Sequence, residues 1–95
     1  MESSREFDPY ADVLGIPPSE QPPHFYRLLQ LPLFESDPAV IDEAAERLRL
    51  QLRAELSGPH EEQVQRLLAD VEFAHGCLHN AICKAEYDAR LQSAF

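Results

Sequence analysis

LLADVEFAHGCLHNAICKAEYDARL, the stretch from Leu67 to Leu91, decides the fold of this chain. A helical repeat occupies its first half, stops near Asn80 and resumes in KAEYDARL. At about 100° per residue, the positions that would face a core fall within roughly 60° of one line, which is typical of a helix with one buried face. These positions are Val64, just before the stretch, and Leu67, Leu68, Val71, Ala74, His75 and Leu78.

A second helix is predicted to start at Asn80. The asparagine side chain can accept hydrogen bonds from backbone N–H groups two or three residues further on, so it is a good helix cap. Cys83, Tyr87 and Leu91 then recur at intervals of four residues, on one face of the new helix. We therefore expect the last helix to fold back onto the buried face of the preceding one.

Aspartate–proline pairs predict two further helix starts, at Asp8–Pro9 and Asp37–Pro38, because Asp caps a helix and Pro is favoured at its first position. The first of these helices is short, since Gly15 can end it in a left-handed conformation. The second runs to Leu56, where a Ser-Gly-Pro sequence stops it. Between them, the apolar residues 24–31, HFYRLLQL, predict another short helix.

Ninety-five residues, 44% of them hydrophobic, suit one small domain. We divide the chain into residues 1–6, predicted to be disordered, residues 7–23, an N-terminal helical turn with a proline-rich connector, and residues 24–92, a helical domain. The predicted fold class is all-α, a small bundle built around a long antiparallel hairpin of helices. We expect the chain to be the N-terminal part of a larger protein of bacterial type.

The helical pair around Asn80 resembles the end of a J-domain, the DnaJ-type co-chaperone module. In that family the third helix ends in Ala-x-x-x-Leu, here Ala74 to Leu78, and a Lys-Ala-x-Tyr-Asp motif follows, here Lys84 to Asp88. The family's Tyr-x-x-Leu-Gly sequence in its first helix corresponds to Tyr26 to Gln30. The resemblance covers roughly residues 24–91 and implies a J-like bundle in which two long helices are antiparallel.

One motif of active J-domains is missing. In the family, a His-Pro-Asp tripeptide after the second helix contacts the ATPase of the seventy-kilodalton heat-shock chaperone. The register of Ile41 and Leu48 would place this tripeptide at Arg53-Ala54-Glu55. The resemblance therefore implies a J-like fold, and the missing tripeptide predicts that the chain does not stimulate the chaperone ATPase. A divergent co-chaperone that still regulates this chaperone is the alternative.

The charge balance excludes several classes of partner. Eight basic residues against 17 acidic ones give a net charge of -9, which repels nucleic-acid phosphates and anionic lipid surfaces. The N-terminus MESSREFD is polar and acidic, unlike a signal peptide, and no apolar run of about 18 residues is present to span a membrane. We therefore expect a cytoplasmic protein in which Cys77 and Cys83 are reduced thiols.

Four side chains that can bind a metal lie close together in the sequence: His75, Cys77, His79 and Cys83. On a helix, His75 and His79 lie about 40° apart and can face one ion, whereas Cys77 lies roughly 160° from His75. His75, His79 and Cys83 thus form a candidate zinc site, and a small metal-binding module is a second alternative function. We favour ordinary packing for these residues and expect no metal, cofactor or enzymatic activity, because no residues have the spacing of a nucleophile or an acid–base pair.

Two hydrophobic side chains are predicted to be exposed on the hairpin. Leu50 points away from the core of its helix, among charged residues, and Phe73 lies about 160° from the buried face of the next helix. Together with Arg47, Arg49 and Arg53, they form the predicted partner-binding surface. We therefore expect a non-catalytic docking or assembly module that binds a protein partner, whose identity the sequence does not give.

Overall fold

The computed structural model describes residues 7–94, and these residues form helices with no β-strand among them. The predicted all-α class is confirmed. Residues 1–6, predicted to be disordered, lie outside the described residues. The five α-helices are α1 (Pro9–Leu14), α2 (Phe25–Leu28), α3 (Pro38–Glu55), α4 (Glu61–His79) and α5 (Ala81–Ser93), and a short 3-10 helix, Pro18–Glu20, lies between α1 and α2.

The starts of α1, α3 and α5 follow the predicted caps. The Asp8 carboxylate accepts hydrogen bonds from the backbone N–H groups of the first turn of α1, and Asp37 does the same for α3. Asn80 ends α4 and caps α5 by accepting from the N–H groups of Ile82 and Cys83. Each cap satisfies donors that a helix leaves without partners in its first turn.

Helices α3 and α4 form the predicted antiparallel hairpin. Asp42, near the start of α3, contacts His79 at the end of α4. Arg49, about two turns further along α3, contacts Glu72, about two turns before His79. The apolar faces of both helices meet along this hairpin and form most of the core. The buried hydrophobic side chains are Leu14, Ile16, Tyr26, Leu28, Leu29, Ile41, Ala44, Ala45, Leu48, Leu52, Val64, Leu67, Val71, Ala74, Cys77 and Leu78.

The N-terminal segment 7–23 packs onto the same core. Leu14 is buried and Ile16 is completely so, at 0% exposure. The Gln51 side chain on α3 donates a hydrogen bond to the carbonyl of Val13, and the Tyr10 hydroxyl donates to Asp70 on α4. A helix as short as α1 is not stable alone in water, so these contacts with the hairpin hold it in place.

The end of α2 adopts a backbone conformation that favours glycine. Gln30 has a φ of 61°, and the chain leaves the helix through a hydrogen bond from the Leu31 N–H to the Tyr26 carbonyl. A left-handed backbone costs a residue with a Cβ roughly 1–2 kcal/mol. The resemblance to J-domains predicted a glycine-like position at Gln30, and in this chain a glutamine adopts the left-handed conformation.

The Lys-Ala-x-Tyr-Asp motif attaches α5 to α2. The hydroxyl of the fully buried Tyr26 donates a 2.5 Å hydrogen bond to Asp88, and Lys84 binds the other oxygen of that carboxylate at 2.8 Å. The Tyr87 hydroxyl accepts a hydrogen bond from the Phe25 N–H, and its ring stacks on the Phe25 ring. The motif therefore has a structural role in this chain.

Candidate functional site

The resemblance to J-domains predicted the His-Pro-Asp position at the end of α3. Arg53, Ala54 and Glu55 form the last turn of α3 and are exposed. In the turn that follows, the His60 ring stacks on Phe7 at a centroid distance of 3.8 Å. This histidine therefore packs against the N-terminal segment.

The predicted partner-binding residues do not form one continuous surface. Leu50 is 60% exposed and Phe73 is 72% exposed, as predicted, and Arg47 and Arg53 are also exposed. The Phe73 ring, however, lies edge-on to Phe25 of α2, whereas Leu50 projects from the face of α3 opposite the core. Leu50 and Phe73 therefore belong to different parts of the surface.

Arg49 is an ion-pair partner within the hairpin. Its guanidinium binds both carboxylate oxygens of Glu72, at 2.5 and 3.1 Å, and Glu46 on its own helix at 3.0 Å. The hydrogen bonds with Glu72 raise the pKa of Arg49, and the same bonds lower the pKa of Glu72. Its role as a partner contact stays a prediction, and its guanidinium is already engaged by Glu72, Glu46 and His75.

A groove lies between α4 and α5, and exposed hydrophobic side chains line it. Two strongly exposed hydrophobic side chains, Phe73 at 72% and Ile82 at 74%, line it together with Cys77 and Cys83. The groove has a volume of about 600 Å³, and Glu86 lies at its edge. We call this feature the disulfide groove. Ile82 was not predicted, but it lies about 100° from the Cys83–Leu91 face of α5, and this angle was a signal of exposure.

Cys77 and Cys83 are joined in a disulfide, with their Cα atoms 5.2 Å apart. The prediction of two reduced thiols is therefore wrong for this structure. The turn at Asn80 reverses the chain between α4 and α5 and brings the two residues within the separation that a disulfide requires. Cys83 is consequently not the thiolate ligand of the candidate zinc site.

A polar cluster lies across the α3–α4 hairpin, and it contains the two predicted histidines. Asp42 Oδ1 lies 2.7 Å from His75 Nε2 and 2.9 Å from His79 Nδ1. Hydrogen bonds, first the one from His75, hold the pKa of the Asp42 carboxyl below its usual range. His75 was predicted on the core-facing side, but its side chain is 20% exposed and is bound to polar groups. We call Asp42, His75 and His79 the Asp42 cluster.

Comparison with known proteins identifies no relative. No family model, curated protein or solved structure matches this chain. Within residues 7–94, none of the helices combines the length and the apolar character needed to cross a bilayer.

Proposed function

We propose that this chain is a non-catalytic docking module and that the disulfide groove is its partner-binding surface. The observation that carries the proposal is the pair Phe73 and Ile82, both more than 70% exposed on either side of one groove. Exposed apolar side chains that lie together in one groove are a feature of many interaction sites.

Two contacts make Phe73 a suitable anchor for a partner. Its ring meets Phe25 at a centroid distance of 5.8 Å, and Phe25 stacks on Tyr87 at 4.2 Å. The ring is therefore held from behind while most of its surface faces solvent. Aromatic side chains that are already ordered lose little conformational entropy on binding and are frequent among the residues that dominate binding energy.

The partner segment that fits the groove is an amphipathic helix with basic residues beside its apolar face. A groove between two helices accepts apolar side chains spaced at i, i+3 and i+4. Glu86 at the edge of the groove and the net charge of -9 favour a positively charged partner. The predicted Leu50, Arg47 and Arg53 surface on α3 remains a second candidate contact area, with the opposite charge preference.

The J-like character of the fold is also part of the proposal. It is supported by the Lys84-to-Asp88 motif and by the left-handed backbone at Gln30, the position of the family glycine. Arg53-Ala54-Glu55 replaces the tripeptide, so we propose a J-like module used for docking rather than for chaperone regulation. Multi-fold stimulation of a heat-shock chaperone ATPase by this chain would instead support the co-chaperone alternative.

We propose a cytoplasmic setting for this chain. The disulfide is more typical of an oxidising compartment. Alkylation of free thiols in freshly lysed cells, with and without prior reduction, distinguishes the two settings. Cys77 and Cys83 that react without reduction would agree with the cytoplasm.

Selection of peptides from a displayed random library tests the groove. We expect the enriched peptides to be amphipathic and basic, and to lose at least tenfold in affinity for the Phe73→Ser/Ile82→Ser double variant. Leu50→Ser is the matched control, because it also removes an exposed hydrophobic side chain. Equal binding to wild type and double variant, or loss in Leu50→Ser alone, would contradict the proposal and assign binding to another surface.

A further inference from the structure

The Asp42 cluster brings together three side chains that are remote in sequence or lie on different helices. His75 and His79 are separated by one turn of α4, and Asp42 faces them from the second turn of α3. One ligand atom from each of the three lies within 4.8 Å of the other two. We propose that Asp42, His75 and His79 form a binding site for a divalent transition-metal ion such as Zn²⁺.

The donor set and its spacing agree with this ion. Zinc binds imidazole nitrogens and carboxylate oxygens at about 2.0–2.2 Å, and sites with three protein ligands keep a fourth position for water or another ligand. Tetrahedral geometry with these bond lengths separates the ligand atoms by about 3.4 Å. The hydrogen-bonded separations of 2.7 and 2.9 Å from Asp42 Oδ1 need to open by only a fraction of an ångström.

The site is accessible from solvent while its ligands are held by the fold. The side chains of Asp42 and His79 are 46% and 58% exposed, whereas that of His75 is 20% exposed. An ion can therefore enter from the open side of the hairpin. The i, i+4 spacing of the histidines on a rigid helix fixes their relative positions before an ion binds.

Arg49 opposes metal binding at His75, because its hydrogen bond favours the tautomer of His75 that cannot bind an ion through Nε2. Arg49 Nη2 lies 2.8 Å from His75 Nδ1. A guanidinium only donates hydrogen bonds, so Nδ1 is the acceptor and the ring proton lies on Nε2, where it faces Asp42. A metal ion on Nε2 requires that position to be free of its proton, and the ring proton then belongs on Nδ1, against Arg49. Removing the guanidinium therefore removes an obstacle to metal binding.

Metal titration of the full chain, with its disulfide intact and without chelator or reductant, tests the proposal. Cobalt is followed by its visible absorption and zinc by calorimetry. We expect one equivalent of either ion to bind, and Asp42→Ala and His79→Gln to weaken binding at least tenfold. Both substitutions are at half-exposed positions, and circular dichroism confirms that each variant is folded. His60→Gln, a histidine outside the cluster, is the matched control and should bind as the wild type does.

Three further measurements separate the proposed site from other sources of binding. Arg49→Met should bind zinc more tightly than the wild type, and weaker binding would overturn the proposed effect of Arg49. The Cys77→Ser/Cys83→Ser variant should keep the metal, whereas loss of binding there would assign the ion to thiolates. Zinc should raise the unfolding temperature of the wild type and not that of Asp42→Ala. Absence of saturable binding, or equal binding by wild type and cluster variants, would overturn the proposal.

Discussion

The partly buried hydrogen bond between Tyr26 and Asp88 leads to a specific prediction about stability at alkaline pH. Tyr26→Phe removes the hydroxyl and keeps the ring, so Asp88 retains only its contact with Lys84. A hydrogen bond to a charged acceptor contributes about 1.5–3 kcal/mol. We therefore expect Tyr26→Phe to lower the free energy of unfolding by about 2 kcal/mol near pH 8.

This difference should shrink as the pH rises. Burial, followed by the hydrogen bond with Asp88, raises the pKa of Tyr26 to about 12, whereas an unfolded tyrosine titrates near about 10. A raised pKa means that the stabilisation is complete below about pH 10 and is lost as the pH rises through about 12. The wild type should therefore lose about 1.4 kcal/mol of this contribution by pH 11.

Urea unfolding of wild type and Tyr26→Phe at pH 8 and at pH 11 measures the effect. Groups common to both proteins contribute equally and cancel, so the gap between the two should fall from about 2 to about 0.6 kcal/mol. Tyr10→Phe is the matched control, because it removes the same atom from an exposed hydrogen bond with Asp70 and should cost about 0.5 kcal/mol. A gap that stays constant or widens between pH 8 and pH 11 would refute the raised pKa of Tyr26 in the folded protein.

Two other predictions concern the left-handed backbone at Gln30 and the disulfide between Cys77 and Cys83. Gln30→Gly relieves a Cβ penalty of roughly 1–2 kcal/mol and loses the hydrogen bond from Gln30 to the Leu14 carbonyl, about 0.5–1.5 kcal/mol, so it should raise the free energy of unfolding by about 0.5 kcal/mol. Urea unfolding measures the change, and a variant destabilised by more than about 1 kcal/mol would contradict the strain argument. Replacing both Cys77 and Cys83 by alanine should cost about 2 kcal/mol, since the disulfide closes a short loop with a sequence separation of 6. Thermal unfolding under non-reducing conditions checks this value, and a wild type that unfolds at the same temperature with and without a dithiol reductant would argue against it.

The helices and their ends could be predicted from the sequence because the interactions that set them are local. Asp8, Asp37 and Asn80 bind N–H groups no more than three residues away. Gly15 ends α1 through its own backbone conformation, with a φ of 73°. The exposure of Leu50 and Phe73 also followed from the angle each makes with the apolar face of its own helix.

The candidate sites depended on contacts that local patterns do not contain. The sequence placed His75 in the core, but the register of the hairpin sets it between Arg49 and Asp42, which lie 26 and 33 residues away in the chain. The same register engages Arg49 in an ion pair with Glu72. Neither partner could be chosen from a helical repeat, because every acidic or basic residue on that side of α3 was an equivalent candidate.

The sequence by itself determined the all-α class, the caps at Asp8, Asp37 and Asn80, and most of the apolar faces of α3 and α4, because these depend on hydrogen bonds and side-chain periodicity within a few residues. Only the tertiary structure decided that Cys77 and Cys83 join, that Asp42 meets two histidines, and that Phe73 and Ile82 flank one groove. These features depend on the register of α3 against α4 and on the direction in which α5 leaves Asn80. Register and direction are set by the packing of the whole core, to which residues distant in sequence contribute together.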